Sequence, residues 1–332
     1  MYGDTEGRDP AAGSDPWLGR IVGRFELAAL LGRGSLGPVY RARDIELGRE
    51  AAAKAVAAGD PVSAARLMRE ARTAAALQHP ALLSVFDVAQ TDGRLMIFSE
   101  LMVRGTLAGW LRSRGPAEPA QAAAICLAAA RGLAFAHRKG VVHRDVKPSN
   151  IYLGDGGAVK LGDFGLARSF EESRRLTQGT PSPDRLVHAA PELLRGEPAS
   201  AAADLYALGC VLYRLLAGRP AFEARAVPAL IQAKSARPPD PAAIRPGMPA
   251  ELSAAVARSL APDPADRFAS ADEFADAIKP AAARRSNSQS SAQPPVGEVP
   301  ARTGASAPAP GHRAPSRPPS APKPPAPVPR SP

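Results

Sequence analysis

One stretch limits this chain more than any other: His143–Arg144–Asp145–Val146–Lys147–Pro148–Ser149–Asn150, with Asp163–Phe164–Gly165 beginning 13 residues after Asn150. It reads H-R-D-x-K-x-x-N and then D-F-G. A carboxylate, Asp145, and an amide, Asn150, share one short loop. A hairpin of the remaining length would return a second carboxylate, Asp163, to the same point. One base and two oxygen ligands converging on a single phosphoryl group suit transfer of phosphate from ATP to a hydroxyl. Asp145 would accept the proton of the attacking hydroxyl, and Asn150 and Asp163 would hold Mg2+ against the phosphates. H-R-D alone is equally a turn with charged caps. Lys147, Asn150 and D-F-G in register favour the chemical reading.

On these motifs the chain resembles the eukaryotic-like serine/threonine protein kinases of bacteria, from about Phe25 to Ala277. The resemblance implies an α+β bilobal fold, with a small five-stranded β lobe carrying one helix, a larger mainly helical lobe, and ATP between them. Gly32–Arg33–Gly34–Ser35–Leu36–Gly37–Pro38–Val39 then reads as the loop over the phosphates. A dinucleotide-binding loop is the competitor, but it requires a helix directly after the glycines. Here Pro38–Arg43 alternates like a strand. Gly32, Gly34, Gly37, Val39 and Ala52 are expected around ATP. Lys54, in Ala52–Ala53–Lys54, is expected on its α- and β-phosphates. The alanines read as helix by propensity, and the family register overrides this. A helix over about 62–77 places Glu70 as the partner of Lys54; the alternative for Glu70 is a solvated pair with a neighbouring Arg. Ser99 falls at the back of the adenine pocket and is small for that place, which predicts a more open back pocket. Glu100 to Met102 would be the hinge that hydrogen-bonds adenine. Tyr152 stands where a Leu normally floors the adenine site.

The resemblance also assigns supporting roles. Lys147 marks the Ser/Thr class. His143 and Arg144 are structural members of the loop, Asp204 would hold the loop's backbone, and Arg267 would pair with Glu192 of Ala190–Pro191–Glu192. The pattern before A-P-E departs from the family. Thr180 lies ten residues ahead of Ala190, so about five residues are inserted, and His188 takes an aromatic's place. Peptide specificity is the property this departure touches. Thr177, and after it Thr180, are the phosphosite candidates of the activation segment, with Ser169, Ser173 and Ser182 also present. Phosphate there would pair with Arg144, with Arg168 a second partner; a constitutive pair of Arg144 with Glu171 or Glu172 is the alternative. The rival to an active enzyme is a pseudokinase-type binding or scaffold module, which normally lacks Lys54, Asp145 or Asp163. A small-molecule kinase normally lacks Lys147 and A-P-E.

Composition sets the boundaries. Hydrophobic residues make up 45% of the 332 and aromatics only 5%, so the core is expected to be Ala, Leu and Val. Residues 281–332 hold 14 prolines and seven Lys/Arg against one acid, Glu298, and so carry +6 of the chain's +10. The basic balance is a property of a Pro/Ala/Ser tail that lacks the apolar surface to fold, and no nucleic-acid-binding face is expected. The domain expected is 25–280, with a flexible lead-in over 1–24. Protein substrates are the expected partners, with acidic partners or anionic lipid a lesser expectation for the tail. Cys126 and Cys210 sit in apolar helical patterns and read as reduced core residues of a cytoplasmic protein. No uncharged apolar run reaches the ~18 residues of a membrane helix, and residues 1–20 lack the apolar core of a signal peptide.

Overall fold

The computed structural model describes residues 15–34, 37–58, 60–164, 183–224, 226–236 and 238–288. Its small lobe is an antiparallel sheet of β1 (Ile21–Val22), β2 (Phe25–Gly34), β3 (Gly37–Asp44), β4 (Glu50–Ala57), β5 (Val85–Thr91) and β6 (Arg94–Glu100), in the order β1-β2-β3-β4-β6-β5. Period-2 alternation decides which side chains see the cleft. Ala51, Ala53 and Ala55 turn one way and are fully buried with Phe25, Leu27, Tyr40 and Phe98. Ala52 and Lys54 therefore turn the other way, toward the cleft. Strand pairing on both sides of β4 overrides the helical propensity of its alanines. α1 (Pro61–Ala75) is capped by Asp60, which accepts from Val62 N and Ser63 N. It buries Ala64, Leu67 and Ala71, in a cluster with Val56, Leu95 and Ile97.

Two expected boundaries move. The sheet has six strands rather than five, because Ile21 and Val22 pair with Glu26 and Phe25 across a turn at Gly23. Residues 15–24 are accordingly part of the lobe and not a flexible lead-in. Trp17 is buried, and Asp15 accepts hydrogen bonds from Tyr40 Oη at 3.1 Å and Arg33 at 3.2 Å. A two-residue strand has no periodicity to read, and its stability comes from burying Trp17 and Val22.

The large lobe contains α2 (Leu107–Arg114), α3 (Pro119–Arg138), a small sheet of β7 (Ile151–Leu153) and β8 (Val159–Leu161), α4 (Pro183–His188), α5 (Pro191–Leu194), α6 (Ala201–Ala217), α7 (Val227–Lys234), α8 (Pro241–Ile244), α9 (Ala250–Ser259) and α10 (Ala271–Ser288). α6 is buried almost all round, from Ala203 to Leu216. α3 is long and apolar enough by length and composition to cross a membrane. It packs Ile125, Cys126, Leu133 and its buried alanines into the same core as α6. α10 does not stop at Pro280 but runs to Ser288, so the folded domain passes the expected boundary at 280. Proline costs a helix one hydrogen bond and a clash with the preceding turn. Here Ile278 and Ala281, fully buried against the lobe, outweigh that cost. The rest of the expected tail, 289–332, lies outside the described residues.

Candidate active site

Asp204, in the first turn of α6, organises the loop 143–150. Its carboxylate accepts from His143 N and Arg144 N, both at 2.8 Å, and lies 2.8 Å from His137 Nε2. These bonds hold Arg144 at φ 72°, a left-handed conformation that costs a non-glycine residue about 1–3 kcal/mol. His143 is buried and ties this loop to the strand ahead of D-F-G. Its Nε2 donates to Gly162 O at 2.9 Å, its Nδ1 accepts from Asp145 N at 3.2 Å, and its ring lies 4.4 Å from that of Phe164.

The Asp145 carboxylate is gripped from several sides. Oδ2 meets Lys147 Nζ at 2.9 Å and accepts from Asn150 Nδ2 at 3.1 Å. Asn150 Nδ2 also donates to Asp145 O at 2.8 Å. Oδ1 lies 3.5 Å from Nε of Arg185, on α4. Asp163 also has a left-handed backbone, φ 65°. Its Oδ2 accepts from Lys54 Nζ at 2.9 Å and Tyr152 Oη at 3.0 Å. Burial pushes the Asp163 carboxyl up, but the charge and hydrogen bond of Lys54, with the Tyr152 bond, hold it below the usual carboxylate range.

The expected Lys54–Glu70 pair is not formed: Lys54 pairs with Asp163 instead. α1 presents its apolar stripe to the sheet, which turns Ala71 and Ala74 into the cleft. Glu70, a residue away from Ala71, lies about 100° round the helix from it.

The cleft between the lobes has a volume of about 510 Å³. Gly32, Gly34, Val39, Ala52, Lys54, Glu100, Met102, Asp145, Lys147, Asn150 and Asp163 all line it, and it extends past Ser99 to Ala71 and Ala74. Gly37 has a different duty. At φ 138° its missing Cβ would lie 2.0 Å from Ala55 O, so glycine is what lets the start of β3 lie this close to the backbone of β4. At the hinge, Glu100 N donates to Ser84 O and Met102 O accepts from Gly105 N. The Glu100 side chain is bound to Lys160. Among the described residues the Met102 amide has no backbone acceptor outside the strands, and the Glu100 carbonyl receives a long 3.4 Å contact from Ser99 Oγ.

Beside the loop 143–150, α4 lies in the stretch ahead of Ala190. Asp184 pairs with Arg214 at 3.0 Å. Lys234, fully buried, donates to Val187 O at 2.9 Å and Ala189 O at 2.8 Å beneath the rings of Tyr206 and Phe222. Glu192 and Arg267 form a buried bidentate pair, 2.6 and 2.9 Å. His188 is buried with Nδ1 2.7 Å from Asp184 O, and burial pushes its imidazole down to about 4 from 6.5. Folding therefore keeps His188 neutral while the unfolded chain protonates it. Its contribution to stability is full above pH 6.5 and declines as pH falls from 6.5 toward 4. The melting temperature should drop across that window, and less steeply in His188→Gln; parallel curves would show that His188 is not the group responsible.

Arg185 and Lys234 took no part in the expected site, and Tyr152 entered it only under the adenine pocket and not as a partner of Asp163. Tyr152 was visible only as a departure from Leu. Arg185 was visible as the residue five before Ala190, the place where the uninterrupted G-T pattern would put its threonine. Gly165, Arg168, Ser169, Glu171, Glu172, Ser173, Thr177, Thr180 and Ser182 lie outside the described residues.

Two lobes around a cleft, with a lysine, a loop carboxylate, an amide and a D-F-G carboxylate facing it, define a protein kinase. The chain belongs to the protein kinase domain family, whose model matches residues 25–276. It is similar to serine/threonine-protein kinase PknB of Mycobacterium leprae, 38% identical over 265 residues that cover 77% of this chain and 43% of that protein. It is similar to PknB of Mycobacterium tuberculosis at 37% over 266 residues, 77% and 42%, and to PknH of Mycobacterium bovis at 38% over 265 residues, 79% and 44%. The chain thus spans less than half the length of these curated relatives.

Proposed function

We propose that this chain is a serine/threonine protein kinase that moves the γ-phosphate of ATP to protein hydroxyls. The observation that carries the reading is the convergence of Lys54, Asp145, Asn150 and Asp163 on one cleft. Adenine would meet the acceptor–donor pair of Glu100 O and Met102 N. Magnesium wants hard oxygen ligands and typically takes one or two from protein, the rest from phosphates and water. The donor set fits. Asp163 receives both of its side-chain hydrogen bonds on Oδ2, and Asn150 spends only Nδ2, so among the described residues Asp163 Oδ1 and Asn150 Oδ1 are left for the metal. Bound there, it would supply positive charge against the phosphates. In the transfer, the acceptor oxygen bonds to the γ-phosphorus as the bond to the ADP oxygen breaks. Asp145 takes the hydroxyl proton. Lys54 steadies the phosphates, and Lys147 and Asn150 hold Asp145.

The binding-module reading has one observation in its favour, the Lys54–Asp163 pair, which occupies both groups with each other. Incubation of the chain with Mg-ATP and mass spectrometry of the protein separate the two. The kinase reading expects added phosphate on Ser or Thr, and nucleotide binding that rises with magnesium in wild type but not in Asp163→Asn. No incorporation, with unchanged magnesium dependence in the variant, would leave the binding module.

Activation is read in the same way. Among the described residues, Nε of Arg144 is buried without a hydrogen-bond partner, which supports Arg144 as the receiver of a phosphate on Thr177, ahead of Thr180; a phosphate brings roughly −1.5 to −2 charge to such a site. Dephosphorylated enzyme should show a lag that ends as Thr177 is modified, and Thr177→Ala should stay slow. Full speed from the first time point in both would refute the switch.

A further inference from the structure

The geometry points to Arg185 as a positioning residue for the catalytic carboxylate, an inference that rests on the kinase reading of the same cleft. Asp145 has to present one oxygen to the acceptor hydroxyl in a fixed direction. Lys147 and Asn150 both hold Oδ2, and a contact to Oδ1 adds a second point against rotation of the carboxylate about the Cβ–Cγ bond. Arg185 provides the second point, with Nε 3.5 Å from Oδ1. The two side chains are largely withdrawn from water, 16% exposed for Arg185 and 14% for Asp145, so their attraction is screened far less than a surface pair's.

The support behind Arg185 is built for placement. α4 is anchored near its start by Asp184 to Arg214 of α6. Just past its end it is held by the buried ammonium of Lys234, which takes the carbonyls of Val187 and Ala189. Ala189 N closes on Arg185 O at 3.0 Å. A guanidinium is planar and always charged, and it loses less freedom than an ammonium per contact made. Carried on a short element tied at both ends, it fixes Asp145 from the acceptor side of the cleft. An arginine five before Ala190, in the stretch where about five extra residues are expected, thus stands beside Asp145.

The test uses the full chain, ATP and a serine/threonine peptide, with kcat and the KM for ATP measured separately. In Arg185→Ala, kcat should fall by ~10²-fold, the cost of a misplacement near 1 Å, while the KM for ATP stays put, because Arg185 does not line the nucleotide side. Arg185→Lys should recover part of kcat, and guanidinium ion added to Arg185→Ala should recover part as well, with no such effect in Asp145→Asn. A merely structural residue would not be rescued by a dissolved cation. Arg185→Met keeps the bulk of the stem, so it serves if the alanine variant melts early, with the same loss and the same rescue expected. Wild-type kcat in these variants overturns the inference. So does a loss that neither lysine nor guanidinium restores, and so does a gain in kcat, which would make Arg185 a block on the acceptor. A wild-type chain that transfers no phosphate at all overturns the kinase reading and this inference with it.

Discussion

Asp145→Asn should lower turnover by ~10²–10⁴-fold, the usual contribution of a positioned base, and leave ATP affinity close to wild type. Asparagine keeps the shape of the side chain and can still accept from Lys147 and Asn150, whose contacts are both to Oδ2. It cannot take the acceptor's proton at neutral pH. On the proposed function the nucleotide would be held by other groups lining the cleft: the hinge at Glu100 and Met102, the strand residues Val39 and Ala52, and Lys54. Single-turnover rates and nucleotide titration on the same sample check both halves. If the variant kept more than about a tenth of wild-type turnover, Asp145 would not be the base.

Arg267→Met should be strongly destabilising, by about 3–5 kcal/mol, the cost of stranding one partner of a buried ion pair. For a domain of this size that corresponds to a melting temperature lower by roughly 10 °C. The guanidinium is fully buried and satisfies more than Glu192. It also donates to Ala202 O, Ala261 O and Pro262 O, so it joins the end of the activation segment, the start of α6 and the turn after α9. Glu192, 4% exposed, would be left charged in the core. Adding Glu192→Met to the variant should recover part of the loss, since an apolar pair can replace a buried ion pair at little net cost. Recovery should be incomplete because the three carbonyls still lose their donor. Thermal unfolding of the two single variants and the double variant reads this directly. If Arg267→Met melted within a degree or two of wild type, the pair would have no structural role.

Much of the site was legible because its chemistry is encoded at short range. Asp145, Lys147 and Asn150 share one loop of six residues, so their mutual contacts follow from local spacing. The strand alternation of β4 decides that Ala52 and Lys54 face the cleft, while Ala51, Ala53 and Ala55 face the core. Asp204 and the Glu192–Arg267 pair are distant in sequence and were readable only through family motifs, since nothing local to Arg267 indicates an acid 75 residues earlier.

The parts that were not legible depend on how elements are rotated and seated. Lys54 meets Asp163 in the folded chain, a choice the sequence does not show, while α1 seats its buried stripe of Ala64, Leu67 and Ala71 on the sheet. The sixth strand and the helix beyond Pro280 exist because Trp17, Val22, Ile278 and Ala281 find apolar neighbours supplied by other elements. The sequence alone determined which groups the chain can bring to phosphoryl transfer, because residue type and loop spacing set the chemistry available. Only the tertiary structure decided which of them hold one another: Tyr152 on Asp163, Arg185 on Asp145, and Lys234 under α4. Those contacts form between surfaces that meet only once the helices have packed.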